Sequence, residues 1–294
     1  MIGSNFQKHF IALLEASIGK HEVLVNFIVD NLNCSRDSAY RRLNGKTEIS
    51  LNEAVLLARN MGVSLNQLLG QHDRSVVFMR DKFITNLDEY EAYMENSLKQ
   101  LEEIRRHPDH LLIYQAKDVP VYYQFAFPTL AAFKIYVWLK SVYNINKMEG
   151  DNYALKDIPS RLTELADLQW QAYSKINAIE IWNDTTILSL LNQLEYYFEA
   201  GLLSSKEEAL QICDEFQKMM KQIYKQALEG YKVHAKNRQE FAGASYRMYY
   251  HEILLMDNHI MAQLDARRLR YFIPYAGVNY LSTEDPILTR DMHA

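Results

Sequence analysis

Residues 31–69 read NLNCSRDSAYRRLNGKTEISLNEAVLLARNMGVSLNQLL, and the punctuation of this stretch decides how the N-terminal part of the chain folds. Asn33 stands where one helix ends, and asparagine tolerates the left-handed backbone that a tight turn needs. Ser35 then serves as N-cap of a helix over 36–44, which Gly45 is placed to end. Ser50-Leu51-Asn52-Glu53 is a capping box: the serine caps the backbone and the glutamate three residues on reaches back to it. The helix it opens carries Leu51, Ala54, Val55, Ala58 and Met61 on one face and stops at Gly62. Ser64-Leu65-Asn66-Gln67 repeats the device with glutamine; Leu65, Leu68 and Leu69 follow, and Gly70 closes the unit.

Two further helices precede the stretch. Phe6, Phe10, Leu13, Leu14 and Ile18 recur at helical spacing before Gly19 breaks the run, and Val25, Ile28, Val29 and Leu32 form a second apolar face. The spacing therefore predicts five short helices within about 70 residues.

With these caps and glycines in place, residues 24–69 resemble the phage-repressor (Cro-like) helix-turn-helix family of bacterial transcriptional regulators. The match is carried in register, without gaps, by Leu32, Ser35, Arg41, Asn44, Gly45, Lys46, Ser50, Leu51, Leu57, Ala58, Gly62, Val63, Ser64, Leu65, Leu68 and Leu69. The chain departs from the family pattern at several positions. Asn33 replaces the turn glycine, Cys34 the following valine, and Val29 a small residue. Leu24-Val25 stand where the family often has Thr-Gln, whose glutamine touches phosphate or base. The family also buries apolar residues at the positions of Ala39 and Arg42, and an arginine is not buried cheaply without a partner. The resemblance implies a DNA-binding unit whose recognition helix is 36–44.

The binding surface follows from the stripe that faces inward. With Ala39 and Leu43 turned to the core, Asp37, Ser38 and Arg41 point outward toward base edges. Arg36 lies at the helix N-terminus, and Tyr40 and Arg42 flank the stripe within reach of phosphates. Lys46 follows just beyond. The expected DNA contacts are thus Ser35, Arg36, Asp37, Ser38, Tyr40, Arg41, Arg42 and Lys46. The chain carries a net charge of −5, so any attraction for DNA must be local. Arg36, Arg41, Arg42 and Lys46 supply that patch, opposed there by Asp37 and, just beyond, Glu48. The alternative is a charged, solvated helix that no longer binds DNA, in a chain acting as a helical protein- or peptide-binding module.

Beyond a polar break at 71–75, Phe83, Leu87, Tyr90, Met94, Ser97, Leu101 and Ile104 alternate in steps of four and three, a heptad seam with one polar interruption. Two readings are open: a helix packed on its own domain, or a coil that joins two chains. Pro108 ends it. Further helices are read over 128–143, 162–176, 186–200 and 205–233, with a short strand over 111–117. The aromatic-rich end is read as strands over 246–256, 259–264 and 268–275, with Asp257-Asn258 as a hairpin turn; a helix through Ile253, Met256, Ile260 and Leu264 is the alternative. The organisation is a DNA-binding domain at 1–70, a linker and long helix at 71–107, and a regulatory or dimerisation domain at 108–294 with a hairpin within 246–275. The fold class is mainly α: a five-helix Cro-like bundle, plus a larger, mostly helical C-terminal domain with a small antiparallel β-sheet.

Composition bounds the rest. Apolar residues make up 48% and charged residues 23% of 294, the balance of a soluble globular chain with a sizeable core. Most of the 20 Tyr and 12 Phe fall beyond residue 80, which argues for an aromatic-packed C-terminal domain. Cys34 and Cys213 alone form no disulfide framework and suit a reducing cytoplasm. The apolar stretch 119–142 is interrupted by Gln124, Pro128, Lys134 and Lys140 and reads as a buried helix rather than a membrane span. His107-Pro108-Asp109-His110 reads as a solvated loop rather than a metal site, and Trp138, Trp170 and Trp182 as core. Glu180, Asp184, Glu195 and Glu199 have no partner base or nucleophile legible in the sequence. No enzyme, metal or cofactor is expected. The expected partners are double-stranded DNA and a second copy of the chain, with a small-molecule or peptide effector open.

Overall fold

The computed structural model describes residues 3–18, 21–68, 76–80, 82–145, 157–237, 240–252, 257–265, 268–275 and 279–293. The chain divides into two compact units, Met1–Val77 and Phe78–Ala294.

The first unit contains helices α1 (Gly3–Ile18), α2 (His21–Leu32), α3 (Arg36–Leu43) and α4 (Leu51–Met61), then a single 3₁₀ turn at Leu65–Leu68. The fifth element of the expected bundle is therefore one turn long. Its punctuation at Gly70, like that of α1 at Gly19, lies outside the described residues, as does the polar break at 71–75. Asn33 joins α2 to α3 with φ of 46°, the left-handed geometry its side chain tolerates. Ser35 Oγ accepts from Ser38 N at 3.2 Å, capping α3. The Ser50/Glu53 capping box is complete, with Glu53 N to Ser50 Oγ at 3.2 Å and Ser50 N to Glu53 Oε2 at 2.9 Å. Gly62 closes α4 at φ 71°.

The core of this unit joins Phe10, Ile11 and Leu14 of α1, Leu24, Val25 and Ile28 of α2, Ala39 and Leu43 of α3, and Leu57 and Ala58 of α4. Helix α4 is turned from the expected face. Leu57 and Ala58 are buried with Ala54 and Met61 packed beside them, while Leu51 is 76% and Val55 48% exposed.

The second unit corrects the expected fold class: it is mixed α/β. Its sheet has eight strands among the described residues, in the order β1-β8-β7-β6-β2-β3-β5-β4. These are β1 (Met79–Arg80), β2 (Leu111–Ala116), β3 (Ala178–Trp182), β4 (Tyr231–Val233), β5 (Phe241–Tyr250), β6 (Ile260–Gln263), β7 (Leu269–Tyr275) and β8 (Asn279–Thr283). Strands β2, β3 and β5 run parallel; the other neighbours pair antiparallel. Parallel strands need long crossovers. Here α6 (Val121–Phe125), α7 (Pro128–Val137) and α8 (Ser160–Tyr173) link β2 to β3, while α9 (Asp184–Glu199) and α10 (Lys206–Glu229) link β3 to β5. The helical runs in the sequence are these connections rather than a helical bundle.

The Asp257-Asn258 hairpin is also corrected. Strands β5 and β6 lie on opposite sides of the β2–β3 pair, and β6 instead forms a hairpin with β7. Asn258 clamps the loop after β2: Asp118 N donates to Asn258 Oδ1 at 3.0 Å, and Asn258 Nδ2 to Asp118 Oδ2 at 3.1 Å. Residues 253–256, the end of the expected first strand, lie outside the described residues.

Helix α5 (Leu87–Arg106) carries the heptad seam from Leu87 onward and packs within this unit against α8, while Phe83, the seam's first member, precedes the helix and is 50% exposed. Tyr90, Met94, Leu101 and Ile104 are all buried, so the seam is not a surface for a second chain. Its polar interruption has a partner: Ser97 Oγ donates to Gln169 Oε1 of α8 at 3.1 Å. Helix α7 is buried on every side, and a helix of π type, Trp138–Val142, extends it.

One polar cluster lies inside the core. The Glu180 carboxylate on β3 accepts from Tyr123 Oη (2.8 Å), Tyr173 Oη (2.5 Å), Trp182 Nε1 (2.8 Å) and Tyr246 Oη (3.0 Å). Four donors fill its four lone-pair positions, the condition under which a carboxylate can be buried. Lys232 Nζ sits 3.2 Å from the Tyr173 ring centre and donates to Tyr173 O at 2.9 Å. Burial pushes the Lys232 ammonium down to about 7, against the opposing pull of Glu180.

Candidate nucleic-acid interface

Helix α3 is held by its two buried residues, Ala39 and Leu43, four apart. That anchoring fixes which side chains leave the unit. Ser35, Arg36, Asp37, Tyr40, Arg41 and Lys46 are exposed. Lys46 is brought beside the helix end by its turn: Asn44 N donates to Tyr40 O at 2.9 Å, Gly45 takes φ of 67°, and Lys46 N donates to Arg41 O at 2.8 Å. Arg41 and Lys46 make no ion pair among the described residues, so both charges are available to an anion.

Arg36 is partly engaged. Its Nη2 lies 3.3 Å from Glu22 Oε1 on α2, with both side chains more than half exposed, a pair of little net energy in water. Tyr40 stands 38% exposed with its ring 6.2 Å from that of His21. Both contacts tie the outward row of α3 to the start of α2 without covering it.

Ser38 and Arg42, the remaining two expected contacts, are built into the fold. Arg42 Nη2 donates to Glu53 Oε1 at 2.7 Å, and its Nη1 to Ser38 Oγ at 2.5 Å and Ser38 O at 3.3 Å. The Arg42 side chain is only 15% exposed and that of Glu53 24%. The hydrogen bond to Arg42 is the main cause that holds the Glu53 carboxyl below its ordinary range, and it raises the Arg42 guanidinium in turn. Glu53 thus does two jobs, capping α4 and receiving Arg42 of α3. Arg42 is a strut between α3 and α4.

A second strut had no signal in the sequence. Gln7 of α1 donates through Nε2 to Arg42 O and Thr47 O, both at 2.9 Å, and accepts from Ile49 N at 3.1 Å. A single glutamine therefore satisfies three backbone groups in the connection from α3 to α4, the segment that carries Lys46. Nothing in a lone glutamine on an amphipathic helix distinguishes it from a solvated one.

Glu180 is enclosed by its four donors, Asp184 accepts from Tyr250 Oη at 3.1 Å, and Glu195 and Glu199 are exposed. His110 Nδ1 lies 2.6 Å from His107 O, and no group of three or more histidine, cysteine or acidic residues able to hold a metal occurs among the described residues. No helix among them is long and apolar enough to cross a membrane. No family model matches the chain, nor does any curated protein or any solved structure.

Proposed function

We propose that the protein is a sequence-specific DNA-binding transcriptional regulator that works in the cytoplasm, with α3 as its recognition helix. The observation that carries this reading is the outward row of α3, where Arg36, Tyr40 and Arg41 stand with Lys46 on a helix anchored by Ala39 and Leu43. Arg41 lies opposite the buried stripe and is the base-reading residue; a bidentate arginine contact to guanine is worth about 1–3 kcal/mol of discrimination. Lys46 and Arg36 attract phosphates, a term that carries charge but little sequence information. The short turn through Asn33 supports the same reading, since it delivers α3 directly from α2. One such helix reads only a few base pairs, so the working form is a pair of chains whose recognition helices meet successive turns of one duplex. The heptad seam of α5 is not what joins them, because it is buried within its own unit.

Genome-wide mapping of the DNA bound by the intact protein in cells tests the reading. The expected result is discrete sites sharing one short motif; uniform or background occupancy would refute it.

A further inference from the structure

The second unit contains two adjoining chambers between α5 and the sheet, of about 230 and 110 Å³. Tyr93, Ser97, Tyr122, Ile260 and Tyr280 belong to the walls of both. A cavity of about 150 Å³ already admits a benzene-sized molecule. The smaller chamber lies where α/β sheets commonly hold ligands, at the carboxyl end of a parallel strand. That end of β2 is marked by Tyr114 and Asp118, with Asn258 ahead of β6, Pro274 late in β7 and Tyr280 early in β8.

The two chambers differ in character. Leu101, Ile104, Leu112 and Phe272 give the larger one much of its wall, with Arg80, Ser97, Gln100 and Ser282 as its polar members. The smaller one holds an unmet acceptor. Gln124 is 1% exposed and donates through Nε2 to Val119 O at 3.2 Å, which fixes its amide orientation, and its Oε1 has no hydrogen-bond partner. Charges in this chamber oppose one another: Lys134 is buried, with Nζ 3.3 Å from Gln193 Oε1, and Asp118 is held by Asn258. Burial raises the Tyr93, Tyr114, Tyr122 and Tyr280 hydroxyls, so all four stay protonated and neutral.

We infer that these chambers bind a small uncharged molecule, with an aromatic or branched apolar body in the larger chamber and an N–H or O–H that donates to Gln124 Oε1 in the smaller. Lys134 and Asp118 offset one another in the smaller chamber, so a net charge of either sign gains nothing there. The inference stands on the second unit alone and does not depend on DNA binding.

Indole and benzofuran, nearly the same in shape but differing in the one N–H, are the probes. Isothermal titration of the full-length protein should show one indole site and binding of benzofuran about tenfold weaker, the factor of one net hydrogen bond. Gln124→Met, which keeps the volume and removes the acceptor, should abolish the preference while retaining both ligands. Ser97→Met, which fills the shared wall, should weaken both by at least tenfold. No binding of either probe to the wild type would overturn the inference. So would equal affinity for the two in the wild type, an outcome that decides the matter even if a variant fails to fold.

Discussion

Arg42→Ala should destabilise the N-terminal unit, and it should do so without the signature of a lost phosphate contact. The guanidinium makes three hydrogen bonds, to Glu53 Oε1, Ser38 Oγ and Ser38 O, from a site where it is 15% exposed. A hydrogen bond to a charged partner contributes about 1.5–3 kcal/mol net. The carboxylate left behind keeps Ser50 N as a donor and is itself 24% exposed, so it is not stranded without solvation. The loss should therefore be about 2–3 kcal/mol, near a single strong contact rather than the sum of three. Hydrogen exchange on the intact protein reads this directly: amides of α3 and α4 should open more easily by that amount, while β2 and β3 are unchanged. A double-mutant cycle with Glu53→Gln should return a coupling of about 1–2 kcal/mol. Unchanged protection in α3 and α4, together with a shallower salt dependence of DNA binding, would refute the reasoning and make Arg42 a phosphate ligand.

Other outcomes follow from the same geometry. Arg41→Ala should weaken binding to the preferred DNA site by about 1–3 kcal/mol and leave exchange protection intact, since the side chain makes no hydrogen bond or ion pair among the described residues; equal affinity by fluorescence anisotropy would show that another residue reads the bases. Lys46→Ala should lower affinity for preferred and random duplexes alike and reduce the salt slope by about one unit, and a loss confined to the preferred site would contradict a phosphate role. Lys232 gives the second unit a pH dependence. Its folded form loses a proton near 7 and the unfolded chain near 10.5, so the unfolded state binds more protons between these values and stability rises with pH in that window. At about 1.4 kcal/mol per pH unit, the gain from pH 7.5 to 9 should be about 2 kcal/mol in urea titrations; Lys232→Met should lack it, and an equal slope in the variant would show that Lys232 is not the source.

The punctuation of the N-terminal unit was legible because caps and turns are local. Ser35, Ser50, Glu53, Asn33 and Gly62 each act within three or four residues of themselves, and each takes the expected geometry. The inward pair Ala39 and Leu43 was legible for the same reason, and it sets the outward row. What was hidden depends on contacts distant in the chain. Arg42 finds Glu53 eleven residues on, and Gln7 reaches backbone groups 35 to 42 residues away. Strand β3 was hidden for a related reason. Strand β3 is five residues long and carries Glu180 at its centre on the buried face, which breaks the alternation that would have marked it. Its donors come from α6, α8, β5 and β3 itself, so no window of sequence contains the reason a glutamate belongs there. The parallel strands β2 and β5 overlap the strands read over 111–117 and 246–256, but their pairing with β3 depends on long crossovers that no local pattern shows.

Selection of duplexes from a random pool by the intact protein, followed by sequencing, tests the central claim most directly. The account predicts enrichment of one short motif, present as two half-sites with centres about ten base pairs apart, and loss of that enrichment in Arg41→Ala. A pool that stays random through successive rounds with the wild-type protein, while the chain remains folded, would contradict it.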